Sequence, residues 1–299
     1  MAPPDPTFNE ARSLPARVVK YALQPTALVL ILWYWASDPT NPLAFGIAIG
    51  SLHLVLGALE RVMPARPAWT IRGPRLLLNV VLAGALTVAL GVVDELSEPI
   101  LSAPLASVRA SLRLDVWPHS WPVVPQLLLL FLVSEGIWYW VHRAEHRWAL
   151  VWRASGHGVH HSFKQLGALN FGLNHPFEFI LLVLPSTLVG LLFGVGPAAL
   201  GTALLAFAQA SIAHCNLDLN SRGIGWLLTT NRYHVHHHSV VVAESNTNYG
   251  CAVILWDRLF GTFSDAPTRE AGSGPTEPTL WQKTLMPIWE PRDTVIAPS

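Results

Sequence analysis

Charge is scarce in this sequence. Asp, Glu, Lys and Arg make up 13% of its 299 residues, about half the share usual in soluble domains. Hydrophobic residues make up 51%, and the mean hydropathy is +0.37. A surface so poor in charge suits lipid better than water, so a membrane protein is expected. Positive and negative groups cancel, 19 against 19, which leaves no basic footprint for a nucleic acid. Cysteine is nearly missing. Cys215 and Cys251 make neither a disulfide framework, nor a CxxC pair, nor a thiolate metal site. Both read as small apolar residues.

Long apolar runs are abundant. A helix crosses the hydrocarbon core with about 20 mainly apolar residues. Four runs qualify: 18–37, 43–59, 76–93 and 121–141. Two more, 177–193 and 195–213, are joined by "GVG" alone and read as a tight hairpin, with Pro185 kinking the first arm. The opening stretch "MAPPDPTFNEARSLPAR" is polar and Pro-rich. It lacks the apolar core of a signal peptide and is expected to be a tail.

Arginine and lysine set the expected orientation. Arg12, Arg17 and Lys20 precede or open the first run. Arg61, Arg66, Arg72 and Arg75 follow the second, and Arg143, Arg147, Arg153 and Lys164 follow the fourth. If runs one and two, then three and four, form hairpins, these basic segments share one side, which is then cytoplasmic. The opposite loop around Asp38 has no Lys or Arg. The one expected from Asp94 to Ser120 offsets Arg109 and Arg113 with four acids.

Histidine is the other abundance, at 13 residues. Nine of them fall in "HRAEH" (His142, His146), "HGVHH" (His157, His160, His161) and "HVHHH" (His234 to His238). All lie on the expected cytoplasmic side. Residues three and four apart share a helix face, so the members of each box are expected to project together. His236 lies about 200° from His234 on a helix and should point away. Eight imidazoles remain, too many for one catalytic ion and enough for two. Imidazole suits Zn, Cu, Fe and Ni, so the donors do not name the metal. His214 in "ASIAHCN" is a ninth candidate, and His175 in "NHPFEF" a weaker one. His53 and His119 are isolated. Glu135, two helical turns before His142, shares a stripe with Tyr139. Either residue, or Asp257 in "WDRLF", is a candidate to orient a ligating histidine. Trp138, Tyr139, Trp140, Trp148 and Trp152 read as an interfacial aromatic belt.

The order HRxxH, HxxHH, a hydrophobic hairpin, then HxxHH resembles the fatty acid hydroxylase/sterol desaturase superfamily. "YWVHRAEH", "HGVHHS", "HPFEF", "HCNLDL", "HVHHHS" and "NYGCAVILWDRLFGTF" are similar to the family's segments, in order, over about 121–263. The resemblance implies an all-α integral membrane protein of about four to six transmembrane helices with a cytoplasmic, histidine-rich helical metal-binding cap. It implies a di-iron centre (Fe2+/Fe3+) held by His142, His146, His157, His160, His161, His234, His237 and His238, with His214 as an additional ligand. Some members have a further histidine four residues before that one, where this chain has Ala210. The implied activity is O2-dependent hydroxylation or desaturation of a lipid C–H bond, which the boxes alone do not separate. Residues 1–120 would form the tail and three spans, 121–263 the catalytic domain, and 264–299 a polar tail.

Electrons must then come from outside. There is no dinucleotide glycine motif, and "HPFE" lacks the HPGG of a fused cytochrome b5-like domain. A ferredoxin or cytochrome b5-type donor is expected, with a membrane lipid as substrate. The scarcity of Lys against Arg suggests a bacterial inner membrane. Two other readings compete. "HRAEH" also fits H-x-x-E-H, a zinc peptidase signature with Glu145 as its base. That reading needs one metal and makes the other boxes replaceable. A metal transporter would instead place polar ligands deep in several spans.

Overall fold

The computed structural model describes residues 13–41, 43–291 and 294. The first twelve residues of the expected tail, Arg12 among them, lie outside the described residues, as do 292, 293 and 295–299. Among the described residues the regular structure is helical, with one isolated bridge between Ser239 and Ala271.

Helix α1 (Leu14–Ser37) starts where the Ser13 hydroxyl accepts the Ala16 N–H at 3.3 Å, with a proline in the first turn. The chain returns as α2 (Ala44–Val62), leaves again as α3 (Gly73–Leu112) and returns as α4 (Val123–Arg147). These four helices are long and apolar enough to cross a membrane. Short helices α5 (Ala149–Ser155) and α6 (Gly158–His161) follow. The hairpin α7 (Glu178–Phe193) and α8 (Ala198–His214) comes next. Its 16- and 17-residue arms reach roughly 25 Å at 1.5 Å per residue, somewhat short of the ~30 Å hydrocarbon core. Four more short helices close the chain: α9 (Asn231–His237), α10 (Val242–Ser245), α11 (Leu255–Phe260) and α12 (Leu280–Leu285).

Helix α3 differs from expectation. The acids from Asp94 to Glu98, then Pro99 and Pro104, read as a loop after residue 93. The helix instead runs unbroken for 40 residues, about 60 Å. Each proline forfeits one backbone bond, while the Ala, Leu, Ser and Val around them sustain the helix. Its early turns pack Leu82 and Ala83 beside Phe163 and Leu166 of the cap. Near its end, the Arg109 guanidinium occupies the space over Gly194 where a Cβ would stand. Gly194 also has φ +64°, so glycine is required at this turn of the "GVG" hairpin. Helix α4 runs six residues past 141 and carries the first histidine box within it. Polarity ends the apolar run there, but His, Arg, Ala and Glu continue the helix.

The shared core of α1, α2, α4 and α8 centres on Trp35, Leu56, Leu127, Leu130, Leu204 and Ile212, all essentially inaccessible. Buried amides tie the same helices together. Gln24 Nε2 donates to Gln209 Oε1 at 3.0 Å, and Gln209 donates to the Thr229 carbonyl. Lys20 pairs with Asp218 at 2.8 Å. Inside a bilayer, polar groups need such internal partners. The outward faces carry exposed Val29, Trp33, Leu77, Val88 and Ile100, as lipid contact requires. The starts of α1, α3 and α7 and the ends of α2, α4 and α8 lie at one end of the bundle. The short helices gather there as the cap.

Trp35 fills the seam where α1 meets α8. Trp35→Ala is expected to destabilise the fold by about 3–5 kcal/mol. Scanning fluorimetry of the detergent-solubilised protein should show a lowered Tm.

Candidate metal centre

On a helix, successive residues turn by about 100°, so residues i and i+4 stand about 40° apart. His142 and His146 therefore leave one face of α4 together. Gly156 then ends α5 with φ +73°. A Cβ there would lie 2.6 Å from the His175 Cβ, so only glycine closes this turn and starts the next box at once. His157 and His161 repeat the i, i+4 pairing, and so do His234 and His238 on and just after α9.

These pairs define two groups. His142, His146, His157, His161 and His237 bring their ring nitrogens together in one. His160, His214, His234 and His238 do so in the other. The sequence expectation that each HxxHH box points one way is corrected here. Residues i+3 and i+4 are 100° apart, so His160 crosses to the second group while His157 and His161 stay in the first. His237 crosses in the opposite sense. His161 and His238 stack at 4.4 Å between ring centres, so the groups adjoin.

Within the groups the Nε2 atoms face each other. His142 and His146 each lie 3.1 Å from His157, and His146 lies 3.1 Å from His161. In the second group His214 lies 2.9 Å from His234 and 3.4 Å from His160. All nine are at most 5% exposed. Burial first, then the neighbouring imidazoles, holds His157, His160, His161, His234, His237 and His238 well below the usual imidazole range. They are neutral at pH 7 and each has a lone pair to offer. Four or five such donors within 4.8 Å of one another fit a first-row transition ion in each group.

The opposite ring nitrogens show what aims the rings. His142 Nδ1 meets the Tyr249 carbonyl at 2.6 Å, His237 Nδ1 the Thr247 carbonyl at 2.8 Å, and His214 Nδ1 the Ala210 carbonyl at 2.8 Å. His157 Nδ1 meets Glu178 Oε1 at 2.8 Å. Such bonds leave Nε2 as the free lone pair. Ala210, noted above as a missing histidine, thus contributes through its backbone. Asp257 acts one step out. Its carboxylate accepts the Tyr249 and Gly250 N–H groups, each at 2.7 Å, and so holds the carbonyl that aims His142. Thr262 donates to Asp257 and meets the Tyr139 hydroxyl at 3.0 Å, which places Tyr139 further out on the same chain. Glu135 is buried on α4 and makes no hydrogen bond to a histidine among the described residues.

Glu178 is the group that sequence reasoning missed. Its signal in the sequence is "HPFEF", where the acid follows His175 by three residues. His175 joins neither group. Its Nδ1 accepts the Phe177 N–H and its Nε2 faces the Thr284 carbonyl at 3.3 Å. His236 also turns away, to Thr268 and Ser264. His53 pairs with Ser211 inside the bundle at 3.0 Å, and His119 is exposed. Glu145 is fully buried and directed at His157 Nδ1, 3.6 Å away. It lies on the Nδ1 side of His157, itself a candidate ligand, which does not favour the general-base role of the peptidase reading. The expected aromatic belt also divides. Trp138 and Trp152 are buried against the histidines, Trp138 stacking on His142 at 5.5 Å, while Tyr139 is buried against Tyr249 and Phe260. Only Trp140 and Trp148 face outward.

Fold and site together define a helical, multi-pass membrane protein with a buried polyhistidine cap that could hold metal ions. Residues 127–262 match the model of the fatty acid hydroxylase family. Over 228 residues the chain is 29% identical to an ornithine lipid hydroxylase of Rhizobium tropici, covering 75% of this chain and 68% of that one. It is 30% identical to a very-long-chain aldehyde decarbonylase of Oryza sativa subsp. indica, over 56% of this chain and 62% of that one. It is 26% identical to a methylsterol monooxygenase 2-2 of Arabidopsis thaliana, over 56% and 60%. No solved structure matches. Residues 127–262 thus belong to the fatty acid hydroxylase superfamily, and the relatives matched are named as a hydroxylase, a decarbonylase and a monooxygenase.

Glu178→Gln keeps an acceptor for His157 but removes the charge. Metal affinity should fall by roughly 10- to 100-fold, read as faster metal loss to a chelator, with the helical circular-dichroism spectrum unchanged. Unaltered retention would show that Glu178 does not support the centre.

Proposed function

We propose that this protein is a membrane di-iron oxygenase that hydroxylates an acyl-bearing lipid of the bilayer in which it sits. The observation that carries this reading is the division of nine buried imidazoles into adjoining groups of five and four at one end of a membrane-spanning bundle. One iron ion would be held by His142, His146, His157, His161 and His237, the other by His160, His214, His234 and His238. Bound together, they would supply the O2-dependent oxidation of an unactivated C–H bond, which redox-inert zinc does not offer.

The chain's own residues do the rest. Tyr249, Thr247, Ala210 and Glu178 fix the imidazole tautomers. Trp138, Trp152 and Tyr249 wall the first group with aromatic surface and keep bulk water from it, which limits side reactions. Hydroxylation is favoured over desaturation because the relative matched over most of this chain is named a hydroxylase and another a monooxygenase. The position of the histidines at the ends of α4 and α8 supports a centre at the bilayer surface, within reach of a lipid arriving laterally. Hydroxylation by O2 consumes two electrons and two protons and yields one water. An external ferredoxin or cytochrome b5-type protein supplies the electrons. The basic residues Arg61, Arg66, Arg72, Arg75, Arg143 and Arg147 all lie at the end that holds the histidines, which supports a cytoplasmic centre. The Rhizobium relative supports a bacterial inner membrane.

The test is metal analysis of the purified protein joined to a lipid assay. Two irons per chain are expected, with an oxygen atom added to a bilayer lipid only when O2 and a reductant are both supplied. His237→Ala and His234→Ala should each lower the iron content and abolish oxidation. One zinc per chain and O2-independent activity would overturn the reading.

A further inference from the structure

The segment 280–289, at the end of a stretch expected to be a featureless polar tail, is two-faced. Its inner face is tied to the cap at several points. Met286 packs against Gly158 in the second histidine box, where an added Cβ would lie 3.3 Å from its sulfur. The Thr284 carbonyl meets His175. Lys283 donates to Glu277 at 2.8 Å and lies over the Phe163 ring at 3.6 Å. Just beyond, Glu290 accepts the Trp152 indole N–H at 2.7 Å.

The outer face is apolar. Leu280, Trp281, Ile288 and Trp289 are exposed, Trp281 at 69% and Ile288 at 83%. Lys283 is the one charged residue from 280 to 289, and it turns inward. Four large apolar side chains with no charge among them are not an ordinary aqueous surface.

The anchor points say what covers this face. Glu277, the partner of Lys283, also pairs with Arg75 in the first turn of α3. His175 lies three residues before the start of α7, and Trp152 five residues past the end of α4. The strap therefore crosses the ends of three bundle helices. Exposed Trp148 and Leu150 follow the end of α4, and exposed Phe177 and Ile180 flank the start of α7. They continue the lipid-facing surface of the spans toward the strap.

We propose that segment 280–289 is an interfacial strap, its outer face seated in the headgroup–acyl boundary of the same bilayer that the long helices cross. Tryptophan favours that boundary because its ring is apolar and its N–H polar. The strap adds to Trp140 and Trp148, the exposed members of the belt expected at Trp138, Tyr139, Trp140, Trp148 and Trp152. Met286 of the strap and Trp152 lie side by side against Gly158, in the turn of chain that carries His157, His160 and His161. The inference rests on the spans and the strap, not on the reaction.

Nitroxide labels at Trp281→Cys and Ile288→Cys test it in the full chain reconstituted in phosphatidylcholine vesicles. A label at Glu270→Cys, whose side chain is 72% exposed, gives the aqueous reference. At 281 and 288 the label should collide with oxygen several-fold more, relative to a water-soluble nickel chelate, than at 270. A ratio like that at 270 overturns the proposal by placing the face in water. Shielding from both reagents also overturns it, because a second copy or another protein then covers the face. A second measurement needs no label. In vesicles brominated near the headgroup end of the acyl chains, Trp281→Phe with Trp289→Phe should reduce the lipid-quenched part of the tryptophan emission and leave the iodide-quenched part unchanged. A reversed pattern overturns the proposal even if the cysteine variants fail to fold.

Discussion

The structure depends on one unfavourable contact. Neutral imidazole nitrogens face each other at about 3 Å with lone pairs inward, in a space sealed from water. Without a cation this arrangement has little to recommend it, since each buried nitrogen has given up a bond to water. With one, every lone pair becomes a ligand bond. The rest of the cap holds the rings in that costly arrangement. Three i, i+4 pairs supply the first alignment. The i+3 histidines, His160 and His237, cross over and interlock the groups, so neither can form without the helices that build the other.

Charge adds a second constraint. Nine neutral imidazoles contribute no negative charge to offset the ions proposed for them. The acids nearest the first group are Glu145 and Glu178, both fully buried and both directed at His157. Glu145 has no hydrogen-bond partner for either oxygen among the described residues. A buried carboxylate in that position is expensive in isolation, and a cation one imidazole away offsets the cost. The H-x-x-E-H motif thus finds a physical role without peptidase chemistry. Its histidines are candidate ligands, and its glutamate lies behind a histidine of another box.

The sequence makes the donors legible because helical spacing is local. His142 with His146, and the repeated HxxHH, can be placed on faces without knowing the fold. The partition into five and four is not legible, because it depends on how α4, α6, α8 and α9 meet. Nor are the partners of His142, His237 and His214, because backbone carbonyls leave no mark in a sequence. Glu178 did leave a mark, but it is 21 residues from His157 and becomes its neighbour only through folding. The apolar runs locate the long helices well and their ends poorly. Hydropathy reports where a segment meets lipid, whereas α3 and α4 continue as helix into water or protein. The strap at 280–289 is hidden for the opposite reason. Its apolar residues are too few for a span, and its helical turn is only six residues long.

Placing the cap on the ends of the spans settles a conflict between metal and substrate. The ligands need a rigid, dry, fully paired environment, which short helices and carbonyl-lined loops provide but a lipid-exposed backbone cannot. A lipid substrate needs an opening to the hydrocarbon. Helix α4 meets both needs in one element. Its apolar stretch crosses with the bundle, its last two turns carry His142 and His146, and no loop intervenes to let the two parts drift. Helix α8 does the same with His214 at its final residue. Three of the nine imidazoles are thus fixed to the frame that positions the lipid. The other six, on short cap helices, close around them.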